Sequence, residues 1–235
     1  MAQKRKPTPK NSGKAPSAPE LPPEQEAAPE PGWLGPELAE EFPGLGVFTT
    51  TLAVGPGRSP EALKERLREL SNRFGGAQAI TLRQRPIPWA YRVFFRHIGL
   101  DPDEQPTPVE GLVLERIKKG GFRSRNLLDD ALTIAIVESG VALRALDADR
   151  VSGRPGVRPS DAGEELEGRP GALPAGTLVI ADEERPLALL FGATGAKRGV
   201  GPKTQRTLLL AIQVRGVPEI AVEEALWLAA GVLRG

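Results

Sequence analysis

The stretch 106–153 constrains the fold most strongly, because it carries signals for two successive helices and a strand. Thr107 and Glu110 have the spacing of a capping box, with Pro108 between them at the first helical position. The apolar residues that follow recur at helical spacing up to a glycine pair at 120–121. That pair supplies the left-handed residue that favours a helix end. We therefore expect an amphipathic helix between these two signals.

A second helix is predicted to begin after Asn126, whose side chain can cap it. Asp129 and Asp130 fall in its first turn, where carboxylates favour the helix dipole. The helix is apolar on almost all sides, which indicates that other elements cover it. Gly140 predicts its end, and a strand is expected over 141–146.

Helical patterns precede this stretch and strand patterns follow it, which predicts the α+β fold class with a mixed sheet. Helices are expected from 60 to 74, from Pro88 to Ile98 and over 218–234, and strands at about 46–54, 157–158, 177–181, 187–191 and 208–214. The aromatic residues Trp89, Phe94 and Phe95 are expected to face the core, the alternative being that they stack on bases.

The domain boundary is predicted from composition. Residues 1–32 are rich in Pro, Ala, Lys and Glu and nearly lack apolar side chains, so this tail is expected to be disordered. It is either a basic arm that tethers RNA or a solubilising segment. Residues 33–235, including the C-terminal helix, are expected to form a single domain.

Composition also excludes several kinds of site. The 235 residues include no cysteine and one histidine, which excludes disulfides, thiolate metal sites and multi-histidine sites. We expect no metal and no cofactor. The net charge is +1, so nucleic-acid binding would need a local basic face. Without a long apolar run or a secretory signal, a cytoplasmic protein with no membrane contact is expected.

The first candidate for such a face lies at the end of the first predicted helix of the 106–153 stretch. Its cations are Lys118, Lys119, Arg123 and Arg125. They complement the helix dipole, which is by itself a sufficient structural reason for them. The alternative is that they contact an RNA backbone, whose binding would then depend on salt.

A second candidate is the segment 192–206, which combines glycines with Lys197, Arg198 and Lys203 between two predicted strands. Such a flexible, donor-rich loop is suited to contacting phosphate. It is not a P-loop, because Pro202 interrupts the Gly-Lys-Thr register. A long hairpin loop with a solvated basic face explains the composition equally well.

An ordered set of residues resembles the tRNA-editing (B3/4) domain of the phenylalanyl-tRNA synthetase beta subunit, and freestanding copies of that domain in particular. The set consists of Thr107, Glu110, Asp130, Gly140, Asp147, Asp149, Arg150, Val151 and Gly153, with GTLVIAD at 176–182 and KTQRTLLL at 203–210. The resemblance covers roughly residues 42–217. It implies a layered core of mixed β-sheet or β-sandwich with packed helices.

The resemblance also implies where a site would lie. In that family the loop corresponding to 192–206 lines the editing pocket, so its backbone amides are candidate donors to an ester oxyanion. The catalytic candidates are Arg144, to hold a terminal phosphate, and Thr194 or Thr204, to position water. The binding candidates are Asp130, Gly192, Gly195 and Gly199, together with the lysines and arginines of the two basic segments.

This chain departs from the family at positions that carry the editing chemistry. Arg144 stands where synthetase-borne editing domains have a histidine, and Leu210 stands where they have the glutamate that recognises a tyrosine hydroxyl. Ala142 and Thr133 replace a proline and an asparagine. Because leucine offers no hydrogen bond, the pairing that rejects phenylalanine is lost.

Two functions are therefore expected, and whether the protein is an enzyme stays open. One is a trans-editing deacylase that hydrolyses the ester of a mischarged aminoacyl-tRNA. The other is a non-catalytic RNA- or protein-binding module that keeps the editing-domain scaffold. tRNA or aminoacyl-tRNA is the expected partner, and the sequence indicates no particular protein partner.

Overall fold

A computed structural model describes residues 29–235. Most of the predicted tail lies outside these residues. Within the predicted tail, strand β1 (Glu30–Pro31) pairs with residues 48–49. Backbone pairing orders this short segment although its composition has no apolar pattern.

Seven helices lie within residues 29–235: α1 (Pro36–Glu41), α2 (Glu61–Arg73), α3 (Gly76–Leu82), α4 (Pro86–His97), α5 (Pro108–Lys119), α6 (Leu127–Ser139) and α7 (Glu219–Arg234). The end signals of α5 and α6 are confirmed, since Gly120 and Gly140 both adopt the left-handed conformation. The Glu110 carboxylate accepts from the backbone N–H of Thr107 at 3.2 Å, as the capping box requires. Asn126 caps α6 by accepting from the backbone N–H of Asp129 at 2.9 Å.

The strands form two four-stranded sheets. The further strands are β2 (Trp33–Leu34), β3 (Gly46–Leu52), β4 (Ala142–Asp147), β5 (Gly156–Pro159), β6 (Leu178–Ala181), β7 (Pro186–Leu189) and β8 (Thr207–Gln213). The first sheet is antiparallel in the order β1-β3-β8-β4. The second has the order β2-β5-β6-β7 and is mixed, because β2 runs parallel to β5. The predicted α+β class is confirmed.

One apolar cluster joins both sheets and the helices. It includes Val47 and Leu209 of the first sheet, Leu187 of the second, Ile134 of α6 and Leu226 of α7. The α6 helix packs against α2, α5 and α7, which explains why its sequence is apolar on nearly every side. The loops after β7 and β4 are thus attached to a shared core.

Three details of the N-terminal half differ from the sequence prediction. Helix α3 was not predicted, because the glycine pair at 75–76 signals the end of a helix. In the structure, Gly75 directly precedes this new helix. Helix α4 begins at Pro86, two residues early, since either proline suits a first turn. Phe94 and Phe95 face the core as predicted, but Trp89 is 50% exposed.

None of the helices within residues 29–235 is long and apolar enough to cross a bilayer. Over the same range, no group of three or more His, Cys, Asp or Glu side chains is arranged to hold a metal ion.

Candidate functional site

The register of the first sheet places Arg144 of β4 directly opposite Leu210 of β8. On the other side of Leu210, its partner in β3 is Thr49. Residues that are directly opposite in adjacent strands share one face of the sheet. The two positions at which this chain departs most from the editing pattern are therefore neighbours in space.

Arg144 reaches from this face to the loop that follows β7. Its guanidinium donates to the carbonyl of Gly192 at 2.8 Å and to Oγ1 of Thr194 at 3.4 Å. Three of the candidate site residues are thus in contact. Arg144 forms no salt bridge with any residue between 29 and 235, and burial lowers its pKa to about 10.

The loop 192–206 forms several internal backbone hydrogen bonds. Gly192 donates to the Leu189 carbonyl at 3.3 Å, and Gly195 donates to the Leu187 carbonyl at 2.8 Å. These amides are already used, so they are not available as the expected donors to a bound anion. In the described part of the chain the Gly199 amide has no intramolecular acceptor.

The basic residues of this loop have different surroundings. Arg198 is largely enclosed, and its guanidinium bonds to Glu167 at 3.1 Å and to the Arg150 carbonyl at 2.7 Å. Lys197 and Lys203 are exposed. The Arg198 contacts brace the loop against the 3-10 turn after β4, so Arg198 acts as a structural residue here.

Thr204 is bonded to a different part of the structure from Arg144. It is 7% exposed, and its hydroxyl donates to Oδ2 of Asp147 at 2.7 Å while accepting from the backbone N–H of Gly201 at 3.0 Å. The only proton of this hydroxyl is therefore already donated within the protein. The same Asp147 accepts from the backbone N–H of Asp149, as expected for a turn.

Asp130 belongs to a different part of the molecule. Its carboxylate is buried and accepts from the hydroxyls of Ser59 and Ser124, each at 2.5 Å, and from the backbone N–H of Arg125 at 2.9 Å. This network ties the start of α6 to the segment before α2. The sequence did not predict the bonds of these serines to Asp130, because Ser59 lies 71 residues away in the chain and Ser124 lies in no helical or strand pattern.

The cations Lys118, Lys119, Arg123 and Arg125 lie around the end of α5 and are exposed. Three of them, with Asp130 at the base, line a cleft of about 170 Å³ between α5 and α6. Glu115 pairs with Lys119 and, at 2.7 Å, with Arg125. The cluster is therefore a partly neutralised basic surface, and its lining residues do not include Arg144 or the 192–206 loop.

Comparison with known proteins identifies the scaffold. The B3/4 domain family matches residues 90–222, which is more than half of the chain and contains Arg144, the 192–206 loop and Leu210. The chain belongs to the B3/4 domain family. The family's layered α+β architecture agrees with the two sheets and packed helices seen here.

Phenylalanine–tRNA ligase beta subunits are similar to part of this B3/4 domain. The protein from Legionella pneumophila (strain Lens) is 35% identical over 109 residues, and that from Yersinia pestis is 39% identical over 100 residues. The subunit from Xanthomonas oryzae pv. oryzae is 40% identical over 114 residues. These alignments cover 45%, 40% and 47% of this chain but 14%, 12% and 14% of the relatives. The chain thus spans a small fraction of the length of these relatives.

Within the B3/4 domain, the two altered positions form one patch, which we call the Arg144 patch. Leu210 is fully buried, and the half-buried Arg144 beside it donates from its guanidinium to the domain's own loop. Leucine has no hydrogen-bonding group and a guanidinium only donates, so neither side chain offers an acceptor to a ligand hydroxyl. The sequence analysis singled out both positions, and the structure shows that they are cross-strand neighbours.

Proposed function

We propose that this B3/4 domain is a tRNA-binding module whose inherited editing pocket does not hydrolyse esters. The observation that carries the proposal is the Arg144 patch. Leu210 is fully buried there, and the Arg144 guanidinium donates to the Gly192 carbonyl at 2.8 Å. A substrate would have to displace this contact before it could enter.

Ester hydrolysis needs donors aimed at the developing oxyanion and a group that orients water. The amides of Gly192 and Gly195 donate to the protein's own carbonyls, and the Thr204 hydroxyl is held by Asp147. Most of the groups that the resemblance offers for this chemistry therefore have structural partners. Their arrangement supports a domain that keeps the editing fold without catalysing ester hydrolysis.

A tRNA backbone has a candidate binding surface in the cations at the end of α5. Lys118 and Arg123 form no salt bridge within residues 29–235, whereas Lys119 and Arg125 share Glu115. When cations without a counter-charge in the protein bind phosphates, the nucleic acid releases the counterions condensed on it, and binding becomes salt-dependent. The similarity to subunits named as tRNA ligases makes tRNA the first nucleic acid to test.

The test is a filter-binding titration of uncharged tRNA at several salt concentrations. The double variant K118Q/R123Q is expected to bind more weakly and to lower the slope of log K against log salt by roughly 1.4–1.8, since each phosphate contact contributes about 0.7–0.9. The control R215Q/R234Q removes the same charge from exposed positions outside this cluster. Equal losses of tRNA affinity in the two double variants, or no tRNA binding by the wild type, would refute the proposal.

A trans-editing deacylase is the second candidate, because Arg144 and Thr194 do lie within contact of each other at 3.4 Å. This function predicts release of an amino acid from at least one mischarged tRNA. Release should be lost in R144A and reduced in T194A, while K203A should leave the chemical step unchanged under saturating tRNA. A panel of mischarged tRNAs separates the two candidates, since the binding module retains tRNA without releasing an amino acid.

A further inference from the structure

A pocket of about 380 Å³ opens between α4 and the turn that follows β8. Its wall is mainly apolar and includes the indole of Trp89, which is 50% exposed, and the buried ring of Phe94. No residue of the loop 192–206 and none of the cations around the end of α5 lines it. The pocket is therefore separate from the Arg144 patch and from the surface that is proposed to contact tRNA.

The charge around this pocket is of one sign. Its lining includes Arg215 and His97 but no aspartate or glutamate, and neither of the two forms a salt bridge within residues 29–235. The guanidinium of Arg96 lies over the Trp89 ring, 6.0 Å from its centroid, and its one ion pair in that range is with Asp103 at 3.8 Å. Charge complementarity thus favours an acidic occupant.

The shape of the wall favours an extended, proline-rich occupant. Pro86, Trp89 and Val93 are spaced three and four residues apart, so they share one side of α4. Exposed aromatic rings in shallow grooves are the usual receptors of polyproline II segments, because such a segment is already extended and loses little entropy when it binds.

The N-terminal sequence contains a segment with both properties. Residues 16–26 read PSAPELPPEQE and lie outside the described residues. Pro16, Pro19 and Pro22 recur every three residues, which is the period of a polyproline II helix, so they would share one side of it. The segment holds three glutamates and no lysine or arginine, and we call it the acidic proline segment: Glu20, Glu24 and Glu26.

This segment is close enough in the chain to reach the pocket. The described residues begin at 29, and Glu30 pairs with Thr49 of β3. A Cβ on Gly44 would lie 3.2 Å from Cα of Arg215, so the pocket is within five residues of Thr49 along this chain, about 17 Å if fully extended. The seven residues from Pro22 to Pro29 span at most about 25 Å, which covers that distance.

We propose that the acidic proline segment, residues 16–26, docks in this pocket of its own chain. Its prolines would lie against Trp89 and Phe94, and its glutamates beside Arg215 and His97. Because a short connection gives an effective concentration of about a millimolar, a contact with a dissociation constant of that order would be occupied about half of the time. The inference goes beyond the proposed function, because it requires neither tRNA nor the α5 cations.

The test is paramagnetic broadening in the full chain, which has no cysteine and three tryptophans. A nitroxide attached to Ser12→Cys lies just before the segment, and the indole N–H of Trp89 is identified by its loss from the spectrum of Trp89→Phe. We expect the nitroxide to weaken the Trp89 signal more than the Trp227 signal, relative to the reduced label. The difference should shrink in 1 M NaCl, where the Debye length is about 3 Å.

Variants of the segment leave residues 29–235 unchanged, so a failure of the domain to fold does not confuse the result. Pro19→Ala/Pro22→Ala should bring the Trp89 broadening close to that of Trp227, and so should replacement of the three glutamates of the segment by glutamine. Pro7→Ala/Pro9→Ala is the matched control, because it removes two prolines from the basic part of the N-terminal sequence.

On the side of the pocket, Arg215→Gln should also reduce the Trp89 broadening, because it removes a cation from the wall. Arg234→Gln is its control, since Arg234 is exposed and does not line the pocket. Equal thermal midpoints would show that both variants fold normally.

Each outcome decides the inference. Equal broadening of Trp89 and Trp227, or a control effect as large as that of the segment variants, would overturn it. Mixing spin-labelled chain without ¹⁵N with unlabelled ¹⁵N wild type tests whether the contact lies within one chain. Broadening of Trp89 in that mixture would assign the contact to a second copy and overturn docking within one chain. Failure of tRNA binding with retained broadening would refute only the proposed function.

Discussion

Asp130 provides the sharpest test of the structural assignments, because the sequence places it in a substrate site and the structure places it in a network. Its buried carboxylate accepts from two serine hydroxyls at 2.5 Å and from one backbone N–H at 2.9 Å. If these contacts define its role, replacement should lower the free energy of unfolding. If it recognises a ligand, replacement should instead lower affinity and leave stability nearly unchanged.

The expected magnitude follows from the three accepted hydrogen bonds. A hydrogen bond to a charged group contributes about 1.5–3 kcal/mol, and bonds within one network do not add fully. We expect Asp130→Ala to cost about 3–5 kcal/mol, since it leaves three donors without their acceptor. Asp130→Asn should cost about 1–3 kcal/mol, because the amide keeps one acceptor and the serine hydroxyls can rotate to meet its N–H groups.

Urea unfolding at 25 °C, followed by far-ultraviolet circular dichroism, measures these differences. Asp129→Asn is the matched control, since the Asp129 carboxylate accepts from one exchangeable partner, the Asn126 amide at 2.9 Å. That change should cost less than about 1 kcal/mol. An Asp130→Ala variant within 1 kcal/mol of the wild type, or one less affected than Asp129→Asn, would refute the reasoning.

Three further changes test other parts of the fold. Tyr91→Phe removes a buried hydroxyl that accepts from a β4 amide at 3.0 Å and donates to a β8 carbonyl, so urea unfolding should show a loss of about 2–4 kcal/mol. The hydrogen bond from the Arg158 guanidinium holds the pKa of Glu164 below its usual value in the folded protein. The ionised carboxylate therefore stabilises the fold fully above the pKa of the unfolded state, and this stability is lost as pH falls through the pKa of the folded state. The wild type should therefore exceed Glu164→Gln by a constant margin above roughly pH 5, and the margin should shrink below roughly pH 4. Gly140→Ala should cost about 1–2 kcal/mol in thermal unfolding, because residue 140 has φ +78° and the added Cβ would lie 3.2 Å from Pro88.

Local signals predicted the central helices well, because each rests on interactions between near neighbours in the chain. The capping box at Thr107, the Asn126 cap and the left-handed glycines at 120 and 140 all depend on contacts within four residues. The second sheet was harder to predict. Its strands have four residues or fewer, and the parallel pairing of β2 with β5 joins residues more than 120 positions apart.

The candidate site was predicted only in part. Arg144, Gly192 and Thr194 are in contact, whereas Asp130, expected to share a cleft with them, lines a different one. The internal partners of Thr204 and Arg198 were not predictable, since Asp147 and Glu167 approach them only in the folded chain. Trp89 and Arg215 share no motif, and only the packing of the turn after β8 beside α4 brings them to one pocket.

Under the proposed function, the pair formed by Arg144 and Leu210 accounts for a retained scaffold with altered chemistry. Because the two residues are cross-strand neighbours on one face of β4 and β8, a change at one alters the environment of the other. An arginine beside a buried glutamate would form an ion pair, whereas an arginine beside leucine must find its acceptors elsewhere. Here it finds them in the carbonyl of Gly192 and the hydroxyl of Thr194. Under the proposed function, the loop that would receive a substrate is instead the hydrogen-bond partner of Arg144, and the Arg144 patch results from the residues at both positions together.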